Sequence, residues 1–191
     1  MTWSRRRVLK SGGALAGVSA AGLLVRPARS REAPAPAPGS ETSARRIALL
    51  NLHTAERLNI EYFRDGAYVS QALSAIEVVL RDFRTGERHA IDPALMDYLH
   101  EVARAAGIEP SFSVISGYRS PQTNSMLHER SPGVAQHSLH MEGRAIDVRV
   151  AGIDCADLAA RALGLKRGGV GYYRASDFVH LDTGAFRTWK G

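Results

Sequence analysis

The stretch Ser138-Leu139-His140-Met141-Glu142-Gly143-Arg144-Ala145-Ile146-Asp147 decides the reading of this chain. A histidine and an aspartate stand seven residues apart, with Gly143 between them where a chain can fold back tightly. Ala145 to Val150 reads as a strand, so Asp147 is expected to sit in it. An aspartate framed by Ile146 and Val148 is costly unless something positive meets it. A second short apolar run, Phe178-Val179-His180-Leu181-Asp182, brings another histidine 33 residues after Asp147. Two imidazoles and a carboxylate are the donor set that holds a zinc ion and leaves one position for water. Such a water is a nucleophile near neutral pH, which points to metal-assisted hydrolysis. The spacing alone leaves a second reading open, in which Asp147 pairs with Arg144 or Arg149 and His140 is a loop residue.

Working outward, the N-terminus carries an address. Ser4-Arg5-Arg6-Arg7-Val8-Leu9-Lys10 precedes a mildly apolar, Gly/Ala-rich stretch from Gly12 to Val25, and small residues follow near Ala28-Arg29-Ser30. The stretch is shorter than the roughly 20 residues that span a bilayer. A charged leader, a short apolar segment and small residues describe an export signal over residues 1–30. The arginine pair favours the twin-arginine route, with an uncleaved membrane anchor as the alternative. Arg5, Arg6, Arg7, Lys10, Arg26 and Arg29, with no acidic residue among them, account for the whole net charge of +6. The basic balance therefore belongs to the leader, and no nucleic-acid partner is expected. Residues 31–44, with Pro34, Pro36 and Pro38 among alanines, read as a semi-extended spacer. Residues 45–191 suffice for one domain with a core. The single cysteine, Cys155, excludes an intramolecular disulfide and reads as a buried, inert thiol.

Within that domain, Ile47–Leu52 and the alternating Leu58–Tyr62, with Asp65-Gly66 beyond, predict an early hairpin or meander. Helical spacing predicts a helix over 71–84 with Leu73, Ile76, Val79, Leu80 and Phe83 inward. Asp92-Pro93 opens a helix that Gly107 stops, burying Leu95, Tyr98, Leu99 and Val102. Ser111–Ile115 is a predicted strand, Pro121 starts a short helix, and 154–163 is a further helix. Gly168–Tyr173 and Phe178–Asp182 are the last two strands expected. Helices and strands interleave without a regular βαβ alternation, so the class is α+β.

The pattern S-x-H-x-x-G-x-A-x-D, at Ser138, His140, Gly143, Ala145 and Asp147, resembles the zinc D-alanyl-D-alanine peptidases and murein endopeptidases. Ser116-Gly117-Tyr118-Arg119-Ser120 and the Phe178–Gly184 run look like the same family's other two motifs, in the family's order. Together they cover the chain from about Ile47 to Trp189. The arginine leader and Gly168–Tyr173 look closest to the exported murein endopeptidase branch. The resemblance implies an antiparallel sheet with flanking helices, of the Hedgehog/D,D-peptidase type. It implies Zn2+ held by His140, Asp147 and His180, with Arg119 facing the substrate and its polarised carbonyl, where a guanidinium can bind a carboxylate or a developing oxyanion. A surface salt bridge is the alternative for Arg119.

The general base is where the chain departs from the pattern. Carboxypeptidase relatives have a glutamate three residues before the last histidine, and this chain has Asp177 there. Asp177 is the expected base, with Asp182 in support on the same strand face as His180. An H-x-H pair found in some murein endopeptidases is absent. His137 is expected at the rim, Gln122 and Asn124 are candidates to contact peptide amides, and Tyr118, Tyr172, Tyr173 and Trp189 either line a cleft or belong to the core. The implied activity is hydrolysis of peptide cross-links in peptidoglycan of the periplasm or cell envelope. The partners are then the peptide stems of that polymer, with membrane contact only through the export signal, and a monomer is expected. The alternatives are a D,D-carboxypeptidase or dipeptidase trimming D-Ala-D-Ala ends, and a non-catalytic murein-binding protein with a structural zinc.

Overall fold

The computed structural model describes residues 44–131 and 133–191. The export signal expected at 1–30 lies outside them, as does the spacer apart from Ala44. Among the described residues no helix is long and apolar enough to cross a membrane.

The chain begins as a meander. β1 (Arg45–Asn51) turns Ile47 and Leu49 into the core, and β2 (Arg57–Arg64) runs back against it. Asp65 and Gly66, both at positive φ, turn the chain into the short β3 (Ala67–Tyr68), the left-handed pair that a tight hairpin requires. α1 (Ser70–Val79) follows and stops several residues before the expected end, so Asp82 and Phe83 lie in the connection after it. α2 (Pro93–Ala106) has the predicted form: the Asp92 carboxylate accepts a hydrogen bond from Ala94 N, Pro93 opens the first turn, and Gly107 closes the last one. Leu95, Tyr98, Leu99 and Val102 are all buried. β4 (Ser111–Ser116), α3 (Pro121–Arg130), β5 (Ala145–Arg149), α4 (Cys155–Gly164), β6 (Gly169–Tyr173) and β7 (Phe178–Asp182) occupy the segments read from the sequence. A final strand, β8 (Arg187–Lys190), does not follow from the pattern, because Arg187-Thr188-Trp189-Lys190 is mostly polar.

The strands form one sheet in the order β3-β2-β1-β4-β5-β7-β6-β8. It is mixed, which corrects the expectation of an antiparallel sheet. β1 and β4 are parallel because two further strands and two helices intervene, and that connection is long enough to return the chain in the same sense. β6 and β8 are parallel because β7 lies on the other side of β6. The remaining neighbours pair antiparallel.

Register divides β5, β6 and β7 into two faces. Ile146 opposes Leu181, Val148 opposes Val179 and Val170 opposes Leu181; all five are buried and belong to the core, where α2 and α4 pack together and α4 covers β6 and β7. The alternate positions face the other way. Asp147 opposes His180, His180 opposes Gly171, and Gly171 opposes Trp189. Period-two geometry therefore gathers the chemistry-bearing side chains of three adjacent strands, and of β8 beside them, on the face away from those helices.

Candidate metal centre and its cavity

His140 enters from the one-turn 3-10 helix Leu139–Glu142. Ser138 precedes this turn and accepts from His140 N, and Gly143 ends it in the left-handed conformation (φ 65°). A Cβ at Gly143 would collide with the Ala90 carbonyl oxygen, so this position is closed to other residues on two counts. The turn redirects the chain into β5 and lets residues 140 and 147 meet.

His140, Asp147 and His180 each offer a donor atom, and these atoms all lie within 4.8 Å of one another. His140 Nε2 lies 3.3 Å and His180 Nδ1 2.9 Å from the same Asp147 Oδ1, and the two nitrogens are 3.2 Å apart. The outer nitrogens have partners that accept: His140 Nδ1 faces Gly117 O at 2.7 Å, and His180 Nε2 faces Asp182 Oδ2 at 3.0 Å. With a proton on each outer nitrogen, both inner nitrogens carry lone pairs. Three lone-pair donors then point at one place with no hydrogen between them, an arrangement that a divalent cation resolves. The donor set fits zinc at a catalytic site, with three protein ligands and a position left over. Among the described residues no further His, Cys, Asp or Glu joins the cluster.

The electrostatics agree. Burial pushes the His140 imidazole down, toward the neutral form a metal needs. Burial also opposes a charge on His180, but hydrogen bonds to Asp147 and Asp182 outweigh it and raise that group to about 9. The positive charge His180 would take between two carboxylates is the charge a cation supplies in its place. Both carboxylates stay ionised despite burial. Asp147 is held far below the usual range by His140 and His180, and Asp182 by His180, Arg187 and the backbone N–H groups of Gly184 and Gly169.

The cluster opens into a cavity of about 360 Å³ whose lining includes Arg119, His137, Tyr173, Phe178, Arg187 and Trp189. Arg119 is largely buried: Nη2 lies 3.6 Å from Asp147 Oδ2, Nη1 donates to Asn124 Oδ1 at 3.4 Å, and Nε has no partner. A largely buried guanidinium on the wall of an open cavity, beside Asp147, differs from a surface ion pair. Its neighbours hold it from below. Ser120, the cap of α3, gives both N–H and O–H to the buried Asp82, and Tyr118 N donates to Leu80 O. The S-G-Y-R-S segment thus supplies the Gly117 carbonyl that orients His140, the cavity arginine, and a cap.

Asp177 is not in this cavity. It sits in the turn before β7 at φ 51°, exposed, 3.4 Å from Arg149 Nη1 and near the thiol of Cys155, which burial and then Asp177 push up to about 12. The residue expected as the base therefore stands outside the cavity lining in this structure, in a turn where the Arg149 guanidinium is its charged partner. Asp182 is fully buried and saturated by His180, the Arg187 guanidinium and two backbone amides, so it acts through the His180 ring. His137 is exposed at the rim as expected. Gln122 is exposed, whereas Asn124 is buried and donates to the carbonyls of Ala135 and Gln136, pinning the cavity wall. Tyr118 and Tyr172 pack on the core, while Tyr173 and Trp189 line the cavity.

Asp82 and Arg187 are not legible as site residues in the sequence, because their roles appear only once the sheet is assembled, and the same holds for the specific partners of Gly117, Asn124 and Trp189. One signal was available: Gly169-Val170-Gly171 alternates. A Cβ at Gly169 would strike Asp182 and Arg187, and one at Gly171 would lie 2.5 Å from the Trp189 indole. The two glycines clear the site face of β6 for side chains arriving from β7 and β8.

Three metal-type donors on one sheet face, the arginine and the opened cavity define a zinc-peptidase type of site, as in the zinc D-alanyl-D-alanine peptidases and murein endopeptidases. The chain belongs to the peptidoglycan L,D-endopeptidase MepK family of metallopeptidases, whose sequence profile matches residues 39–189. It is 38% identical over 186 residues to the peptidoglycan L,D-endopeptidase MepK of Escherichia coli strain K12, covering 97% of each chain. It is 39% identical over 153 residues to the probable peptidoglycan L,D-endopeptidase MepK of Haemophilus influenzae, covering 80% of this chain and 82% of that one. No solved structure matches it.

Proposed function

We propose that this protein is a zinc-dependent endopeptidase that hydrolyses peptide cross-links of cell-wall peptidoglycan at bonds between an L- and a D-centre. It would act in the periplasm or envelope after export through the twin-arginine route. The observation that carries the reading is the convergence of His140 Nε2, His180 Nδ1 and an Asp147 oxygen at the floor of an open cavity, in a chain of this family.

Zinc on this donor set supplies Lewis acidity and a water made acidic enough to attack at neutral pH. The protein's own residues do the rest. Gly117 O and Asp182 fix the tautomer and tilt of the two imidazoles. Arg119, on the cavity wall beside Asp147, receives the reacting carbonyl or a substrate carboxylate. The loop held by Asn124 forms one wall and the aromatic side chains of β6, β7 and β8 another. A purely structural zinc fits poorly, because structural sites are closed by a fourth protein ligand and this cluster has three.

The test is digestion of purified cross-linked muropeptides by the zinc-loaded protein, with products separated and sequenced by mass. Cross-linked dimers should disappear, with cleavage at an L,D bond, and a chelator or His140→Ala should abolish it. Release of terminal D-alanine with dimers left intact would establish the carboxypeptidase alternative instead.

A further inference from the structure

Tyr173 ends β6 on the site face and lines the cavity. Its hydroxyl accepts a hydrogen bond from Trp189 Nε1 at 2.9 Å, and among the described residues the tyrosine proton has no acceptor. A phenol carries one donor and two acceptor positions, so the indole occupies the acceptor side and leaves the O–H as the group on offer. The arrangement is built. The Trp189 ring lies across β6 with its centroid 5.1 Å from that of His180, a path open only because residue 171 has no Cβ. The Tyr173 ring stacks on Phe178 at 4.5 Å, which fixes its plane. Tyr173 and Arg119 both line the cavity that His140, Asp147 and His180 also line.

We propose that Tyr173 is a catalytic residue whose O–H donates to the scissile carbonyl oxygen as negative charge develops there, with Trp189 as the positioning residue that holds it. The inference rests on the endopeptidase reading. The contribution of Tyr173 is a fixed dipole aimed at charge that is absent in the bound substrate, which is how a donor lowers a barrier without tightening ground-state binding.

Tyr173→Phe removes the donor and keeps the ring. On a soluble cross-linked muropeptide its kcat should fall about ten- to a hundredfold with KM within about threefold of wild type. Zinc content and melting temperature should be unchanged. A phosphonate isostere of the scissile peptide, whose tetrahedral anionic group imitates the charged carbonyl, should bind the variant weaker by the same factor. The cleaved product peptide should bind both proteins equally. Trp189→Phe, which loses only the indole N–H, should show a smaller fall that vanishes in a Tyr173→Phe background. Undiminished kcat in Tyr173→Phe beside an active wild type overturns the inference alone, as does equal loss of phosphonate and product binding. A zinc-loaded wild type that leaves the muropeptide intact overturns the endopeptidase reading itself.

Discussion

Asp182 Oδ2 lies 3.0 Å from His180 Nε2, on the side of the ring opposite the nitrogen that faces Asp147. The fully buried carboxylate sets both the tautomer and the orientation of the His180 ring, and Arg187 braces the carboxylate through two further hydrogen bonds. Removing such a partner characteristically weakens metal binding roughly 10- to 100-fold. Asp182→Asn should do so here, measured as zinc affinity by competition with a chromogenic chelator. An unchanged affinity would mean the ring is held by packing alone.

Asp177 tests the assignment of the base. A positioned acid–base group contributes about 10²- to 10⁴-fold to a rate, whereas an exposed ion pair such as that of Asp177 with Arg149 contributes little to anything. Asp177→Asn should therefore leave kcat within about twofold of wild type. A loss of a hundredfold or more would show that the loop before β7 rearranges around substrate.

The contrast between Asp177 and the three candidate metal ligands shows what a sequence exposes. The ligands are legible because they sit in short motifs where local geometry does the work: a turn at Gly143, a strand at Asp147, a strand at His180. Helix boundaries at Asp92-Pro93 and Gly107 are legible for the same reason, since caps act on their own residues. The placement of Asp177 is not, because it depends on how the turn before β7 meets Arg149 on β5. The parallel pairing of β1 with β4 and of β6 with β8, and the partnership of Trp189 with Tyr173, are contacts between distant segments. Only the glycines of β6 hint at them, as gaps whose fillers lie elsewhere in the chain.

Gly143 should be intolerant of substitution. Its φ of 65° strains an L-residue by about 1–2 kcal/mol, and a Cβ would also run into the Ala90 carbonyl. Its own carbonyl accepts from Asp92 N at 3.0 Å, at the cap of α2. Gly143→Ala should lower stability by about 2 kcal/mol or more, read as a shift in the urea midpoint, and should weaken zinc binding because residues 140 and 147 share the turn. A wild-type midpoint would show that the 3-10 turn relaxes freely.

Acid should act through Asp82. This carboxylate is almost wholly buried, and burial would raise its pKa, but hydrogen bonds from Thr123, Ser120 and Arg84 N hold it to about 2, below an ordinary 3.8. A depressed folded-state value means that the stabilisation is fully present above the unfolded pKa near 3.8 and is lost as pH falls through about 2. The gap corresponds to about 2 kcal/mol. Asp82→Asn should lose about that much at pH 6, and its stability should change less than that of wild type between pH 4 and pH 2. Parallel pH profiles for the two proteins, by denaturant titration, would remove Asp82 as the source.

Arg119 combines burial, charge and a place on the cavity wall in one side chain. Burial works against its charge and Asp147 supports it, so the guanidinium stands where little water screens it. Donors held in that way against developing charge are worth about 10²–10³ in kcat. Arg119→Met should lose that much on cross-linked muropeptides. Arg119→Lys should recover only part of it, because an ammonium keeps the charge but cannot reach Asn124, Asp147 and the substrate together as a planar fork does. Zinc affinity should change little in either variant, since neither ligand nitrogen depends on the guanidinium for its orientation. If lysine restored full activity, point charge alone would suffice; if both variants lost zinc, Arg119 would be bracing Asp147 and not meeting the carbonyl.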